Sequence, residues 1–366
     1  MTQKKTSKIP TSRSLFWRFQ TSFSFLTFSV SSKQALLGIL QPGNMATSQI
    51  SVAIAGAGDL AKYVVEECIK QKLRVLVLSR SRNDWFANKS PDVTMHITDY
   101  SIDSIVQALD ANKVTCLFST LNCFTLETYL PPHVSMLEAC KQSKSCKRFS
   151  PAYFCGNIDE VPGLPRFYKD SREGFLKTLA STSQDIEWTT ISHGWFMDYA
   201  IIFAEPFNRS DKSYLKALPG WSIDMMQWKG ILPGTGDERA SFTSARDVGK
   251  AIASLATTST PWPRHTYISG EDTTWNKLAD KLEQFYDRKL VERSYRSMRE
   301  IKEGLALDQE DMGRQLQLQL QEWTVAGGQG LPINEVERQR IKYFKDIRFE
   351  SIDDFLEHSK GEVYSN

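Results

Sequence analysis

Residues 50–55 form a short apolar, β-branched run, and they lead straight into Gly56-Ala57-Gly58-Asp59-Leu60-Ala61. Leu60, Val64, Val65, Cys68 and Ile69 then recur at helical spacing as far as Lys72, and a second apolar run occupies residues 74–79. A short, mainly apolar run without alternation suits a strand covered on both faces, which is the parallel kind. Strand, glycine turn, helix and strand within about thirty residues make one βαβ unit. Gly56, Gly58 and Ala61 spell Gly-x-Gly-x-x-Ala at its first turn. The first glycine permits the tight turn, the second lets a pyrophosphate approach the backbone, and the small third residue lets helix pack on strand. Phosphates would then meet the unpaired N–H groups and positive dipole end of the helix. Gly56, Gly58, Asp59, Leu60 and Ala61 are therefore candidate dinucleotide contacts; the competing reading is a purely structural glycine turn.

The end of the second strand selects among dinucleotides. An NAD site places Asp or Glu there for the ribose hydroxyls. This chain has Ser79, Arg80, Ser81 and Arg82. Arg80 can stack on adenine and bond a 2′-phosphate, with Arg82 adding charge, so the expected cofactor is NADPH. Two solvated loop arginines are the alternative.

The alternation then continues. Residues 93–98 read as a third strand and 101–110 as a helix with Ser101 at its N-cap. Residues 114–120 read as a fourth strand, and 131–143 as a helix with proline in its first turn. A fifth strand at 146–151, an amphipathic helix at 167–182 and a sixth strand at 186–192 follow. Parallel neighbours need crossover helices, so the expected fold is α/β, a Rossmann-like doubly wound parallel sheet. Beyond Gly194 the rhythm weakens. Residues 230–258 read as a turn, a strand and a helix from about Arg246. Strands at 265–271 and 289–297 alternate with helices at 273–288 and 297–307, and a last helix lies near 351–359. The Leu/Gln alternation of 312–323 suits a helix or a strand. The expected division is a Rossmann domain over 49–270 and a smaller C-terminal α/β substrate-binding lobe over 271–366, with 194–235 contributing.

Composition excludes several classes. A net charge of +2 over 366 residues gives no strong field toward nucleic acid or a membrane surface. No apolar window approaches the roughly twenty residues of a membrane span. The six cysteines include no Cys-x-x-Cys pair, and the five histidines show no ligand spacing, so no metal site is expected. No acidic residue precedes Asp59, and residues 1–48 are rich in Lys, Arg, Ser, Thr and Phe. They suit an upstream extension of a chain starting at Met45, with a cytoplasmic location, or a mitochondrial transit peptide.

Several stretches together resemble the NmrA-like and isoflavone-reductase-like proteins, which are atypical short-chain dehydrogenases. They are the glycine loop, the arginine after the second strand, Ser119-Thr120-Leu121-Asn122, and Lys-Arg-Phe-Ser-Pro-Ala-Tyr-Phe-Cys-Gly-Asn at 147–157. Residues 165–179, 186–199, 230–253 and 274–284 extend the likeness, which covers most of 50–297. Three features depart from the family: Ala152 and Tyr153 stand where Ser and Glu are frequent, the glycine loop is shortened, and no Tyr-x-x-x-Lys surrounds Lys169. The resemblance implies hydride transfer from NADPH to an unsaturated or carbonyl small molecule. It also implies cofactor contacts at Ser119 and Thr120, and the family lysine at Lys169, bonding the nicotinamide ribose and handling a proton. Tyr153 and His193 are candidate donors beside it, as is Tyr168, and each has a plain packing role as its alternative. Trp195, Phe196 and Tyr199 suggest an aromatic wall for a flat substrate. Some members of this family bind NADP without turnover and regulate a protein partner, and that reading stays open here.

Overall fold

The computed structural model describes residues 49–158, 160–182, 186–202, 213–218, 220–307 and 310–361. The expectations for residues 1–48 lie outside them. Six parallel strands build the main sheet: β1 (Ser51–Ala55), β2 (Arg74–Ser79), β3 (Val93–Ile97), β4 (Val114–Ser119), β5 (Arg148–Ser150) and β6 (Glu187–Trp188). Their order is β3-β2-β1-β4-β5-β6. The crossovers carry α1 (Asp59–Lys70), the short α2 (Asp84–Ala87), α3 (Ile102–Ala111), α4 (Leu126–Gln142) and α5 (Arg166–Ser181). α6 (Ala245–Thr257) packs beside α1.

Strand alternation explains the layering. Val52, Ile54, Val75 and Val77 share one core with Val64 and Val65 of α1 and Ile252 of α6. Ala53, Ala55, Leu76 and Leu78 share the opposite core with Ile105, Leu109 and Leu137. Both faces are covered, so these strands read as unbroken apolar runs rather than as alternating ones. The strand order reverses between β1 and β4, and the crevice outside the strand carboxyl ends at that point is where such sheets bind ligands.

Three elements differ from the sequence reading. α4 begins at Leu126, five residues early, and holds Pro131 and Pro132 in its interior. The Thr125 hydroxyl accepts from Thr128 N–H in a capping box, which secures a first turn ahead of the prolines. Lys229–Pro233, read as part of a turn, is a strand paired with Glu292–Arg296 and Ile223–Asp224. Ile333–Tyr343 is a helix that buries Val336, Gln339 and Tyr343 and leaves Ile333 and Ile341 exposed, so its apolar residues marked no single face to read. Met312–Val325 resolves as helix, with Leu318, Leu320 and Trp323 inward. Ser101 does stand at the N-cap of α3, but its side chain makes no capping bond.

The boundary expected at 270 falls within a sheet. Strand Glu271–Thr274 pairs antiparallel with Arg239–Thr243, and residues from Thr47 onward form one compact unit. The C-terminal lobe, with its small sheets, thus shares strands with the segment before residue 270 inside one compact unit. Among the described residues no helix is long and apolar enough to cross a membrane.

Candidate functional site

Gly56 has φ +106°, and a Cβ there would stand 3.0 Å from Thr120 Oγ1. Its N–H donates to Leu78 O (2.8 Å), while Thr120 N–H donates to Ala55 O (2.8 Å). β1, β2 and β4 are therefore drawn together at the turn with no room for a side chain. Gly58 is the N-cap of α1, offers no side-chain cap, and a Cβ built on it meets nothing within 4 Å. The start of α1 thus borders open space, a requirement for a phosphate at a helix N-terminus.

That space is a cavity of about 460 Å³. Its lining runs from Gly58, Asp59 and Leu60 through Thr120, Leu121 and Asn122 to Phe154, Tyr168, Arg172, His193, Phe196 and Tyr199. Leu215, Lys216, Ala217 and Leu218 border it as well. Their stretch is fixed to the turn after Phe196 and to α1: Ser213 Oγ donates to buried Asp198 (2.9 Å), and the Tyr214 hydroxyl donates to Glu66 of α1 (2.7 Å). The Asp198 carboxylate also accepts from Ala245 N–H (2.8 Å) at the start of α6, and its burial pushes its pKa up.

Arg80 and Arg82 differ in availability. Arg82 Nε holds Asp84 at 2.8 Å, whereas Arg80, exposed, has no hydrogen-bond or ion-pair partner among the described residues. Burial pushes the Tyr100 phenol above its ordinary range, and the Arg80 guanidinium acts against that push. Tyr100 donates to Leu78 O (2.9 Å), so the charge of Arg80 lies over the carboxyl end of β2 beside the glycine turn.

Ser119 is not on the cavity wall. It is fully buried, with Oγ 3.0 Å from His133 Nε2. His133 Nδ1 lies 2.6 Å from Tyr129 O, which assigns the proton to that nitrogen. Nε2 is then the acceptor for Ser119 and for Ala152 N–H (3.2 Å). Burial depresses the His133 pKa to about 3, so the imidazole stays neutral. The serine expected to touch cofactor instead helps hold the ends of β4 and β5 in register.

Lys169 and Tyr153 also lie away from the glycine loop. Lys169 is exposed and, with Tyr153, lines a neighbouring cavity of about 440 Å³. Tyr168 and Arg172 are four residues apart, so they share one face of α5 and border both cavities; Lys169 stands about 100° around the helix from Tyr168 and about 60° from Arg172, and it lines only the neighbouring cavity. The Tyr168 hydroxyl donates to Phe154 O (3.1 Å) and Arg172 lies 4.0 Å over its ring. Burial pushes this phenol up, with the Arg172 charge working against it.

His193 does line the main cavity, 2% exposed, its ring 4.0 Å from that of Phe196. Among the described residues neither ring nitrogen has a partner. Burial lowers its pKa to about 3, so it offers one N–H donor and one acceptor but no stored proton near neutrality. Arg172, Lys216, Trp323 and Gln329 were not singled out from sequence as site residues. The i, i+4 spacing of Tyr168 and Arg172 was the one signal available for any of them.

No family model matches the chain. It is similar to oxidoreductase swnR of Metarhizium robertsii, 33% identical over 309 residues, covering 83% of this chain and 96% of that protein. It is 36% identical over 239 residues to oxidoreductase swnR of Arthroderma benhamiae, covering 65% and 74%. The chain belongs to the family of the swnR oxidoreductases. Among solved structures the family fold recurs in isoflavone reductase (TM-score 0.65, 16% identity, covering 85% of this chain and 99% of that one). It recurs too in the leucoanthocyanidin reductase–NADPH complex from Vitis vinifera (TM-score 0.63, 18%, covering 85% and 99%).

Proposed function

We propose that this family member is an NADPH-dependent reductase of a small, flat, aromatic or otherwise unsaturated molecule. One observation carries the reading: a single cavity joins the bare N-terminus of α1 to a wall of Phe154, Tyr168, His193, Phe196 and Tyr199. The N–H groups after Gly58 suit the pyrophosphate, and Arg80 suits the 2′-phosphate. NADPH would supply the hydride. The chain would exclude water with its aromatic wall, and hydrogen-bond a carbonyl through the neutral His193 imidazole or the Tyr168 phenol.

Fluorescence titration should show tighter binding of NADPH than of NADH. Arg80→Asp should remove the difference, and Arg82→Asp should change it less, since Arg82 is already paired. NADPH should then be oxidised by at least one aromatic enone or aldehyde. Equal affinities in the wild type would sink the cofactor preference. Tight NADPH binding with no oxidation across a broad panel, together with redox-dependent capture of a protein, would replace the reductase with a sensor.

A further inference from the structure

Arg172 is 5% exposed, yet it borders the main cavity. A guanidinium cannot lose its proton in a protein, so this is a permanent buried charge. Such a charge is costly unless something compensates it. Arg148 holds Glu187, Arg166 holds Glu322, and Arg246 holds Glu66 and Glu67. Arg172 pairs with no carboxylate among the described residues. Its sequence neighbour Glu173 turns outward to Lys177 at 2.8 Å.

Arg172 has instead three neutral acceptors and two rings. Nε donates to Ala152 O (3.4 Å), Nη1 to Ser171 Oγ (2.6 Å) and Nη2 to Cys123 O (2.8 Å). Tyr129 and Tyr168 lie 4.5 and 4.0 Å from its central carbon, in cation–π contact. A guanidinium has five N–H donors, so these bonds leave one on each terminal nitrogen. Two such donors match the two oxygens of a carboxylate.

Position decides which anion is meant. The pyrophosphate belongs at the turn after β1. Arg172 bonds the chain beyond β4 and beyond β5, the next two strands along the sheet. At roughly 4.8 Å per strand, that places it toward the aromatic end rather than the phosphate end. We propose that Arg172 anchors a carboxylate on the substrate, so that the molecule reduced is an unsaturated acid with its flat body against Phe154, His193 and Phe196. This rests on the reductase reading above, and it narrows the substrate class from apolar molecules to anions.

The test uses the full chain saturated with NADP⁺, with calorimetric binding of cinnamate against cinnamamide and benzoate against benzamide. Each pair matches in shape and differs in charge. At least one acid should bind about tenfold or more tightly than its amide, the scale expected for a desolvated charge pair. Arg172→Gln should remove that preference, and Arg172→Lys should keep part of it, with NADPH affinity unchanged in both. The inference is overturned if no acid outbinds its amide. It is also overturned if Arg172→Gln weakens NADPH while the preference persists, which would give the guanidinium to the cofactor. Should the variants fail to fold, the wild-type pairs alone decide. None of these measurements needs turnover, so absence of NADPH oxidation would count against the reductase reading and not against the carboxylate site.

Discussion

The two ends of the main cavity are made of different material. At the Gly58 end the groups proposed for the pyrophosphate are backbone: the N–H groups at the start of α1, with Gly56 approaching Thr120 closely. At the far end they are side chains drawn from separate stretches, Phe154 after β5, Tyr168 and Arg172 on α5, His193 to Tyr199, Leu215 to Leu218, and Trp323. A backbone site can be broken only where a Cβ intrudes. A side-chain site can be recut one residue at a time while the sheet stays intact. The cofactor end should therefore fail all at once, and the substrate end by degrees.

The largest effects test the backbone end. Gly56→Val combines a φ of +106° with contact at 3.0 Å to Thr120, so it should lower stability by about 2 kcal/mol or more and abolish NADPH binding. Gly58→Ala is the sharper probe. Its new methyl meets only open space, so the melting temperature should hold, to within about 0.5 kcal/mol of stability. NADPH affinity should nonetheless fall about tenfold or more, because the methyl would stand where a phosphate must approach. Unchanged affinity in Gly58→Ala would show that the phosphates do not rest on this loop.

The next comparison sets two neighbours on α5 against each other. The family resemblance implies a large loss of turnover for Lys169→Ala. The geometry implies the reverse order. Lys169→Ala should leave kcat/KM within about threefold, while Tyr168→Phe should lower it about tenfold or more, the lower range of a lost hydrogen-bonding proton donor. Steady-state kinetics on any substrate that oxidises NADPH decides it. A larger loss in the lysine variant would mean that Lys169 swings across from the neighbouring cavity when cofactor binds.

That contrast also marks what was legible beforehand. β1, the glycine turn, α1 and β2 were plain because each carries its own local signal: an apolar run, a special turn and a helical stripe. The six parallel strands followed from repetition of that signal. Lys169 against Tyr168 was not legible, since adjacent residues on a helix differ by about 100° and only packing fixes which faces inward. Arg172 was hidden by Glu173 beside it, which looks like a partner in sequence and in fact pairs with Lys177. Trp323 and Gln329 reach the cavity from more than a hundred residues beyond α5, by a tertiary contact no local pattern encodes. The strand at Lys229–Pro233 was masked by Gly230 and Pro233, residues that ordinarily mark turns.

His193 offers the smallest effect and separates packing from chemistry at the side-chain end. Burial holds its folded pKa near 3 against an ordinary 6.5. Between those values the unfolded chain takes up a proton that the folded one refuses. Its contribution to stability is therefore complete above pH 6.5 and is lost as pH falls toward 3. His193→Phe removes that titration. Neither ring nitrogen has a partner among the described residues, so near pH 7.5 the variant should match the wild type within about 1 kcal/mol. Below pH 6.5 the variant should become the more stable of the two, by a margin that widens down to pH 4.5 in thermal melts. His133 titrates in the same direction, while buried Asp198 and Asp247, whose pKa values are raised, act in the opposite one. All three are present in both proteins and cancel in the difference. The same variant should lower kcat several-fold with NADPH affinity intact if the imidazole bonds the substrate. A variant that gains acid stability and keeps full turnover would assign His193 to the wall and leave Tyr168 as the donor.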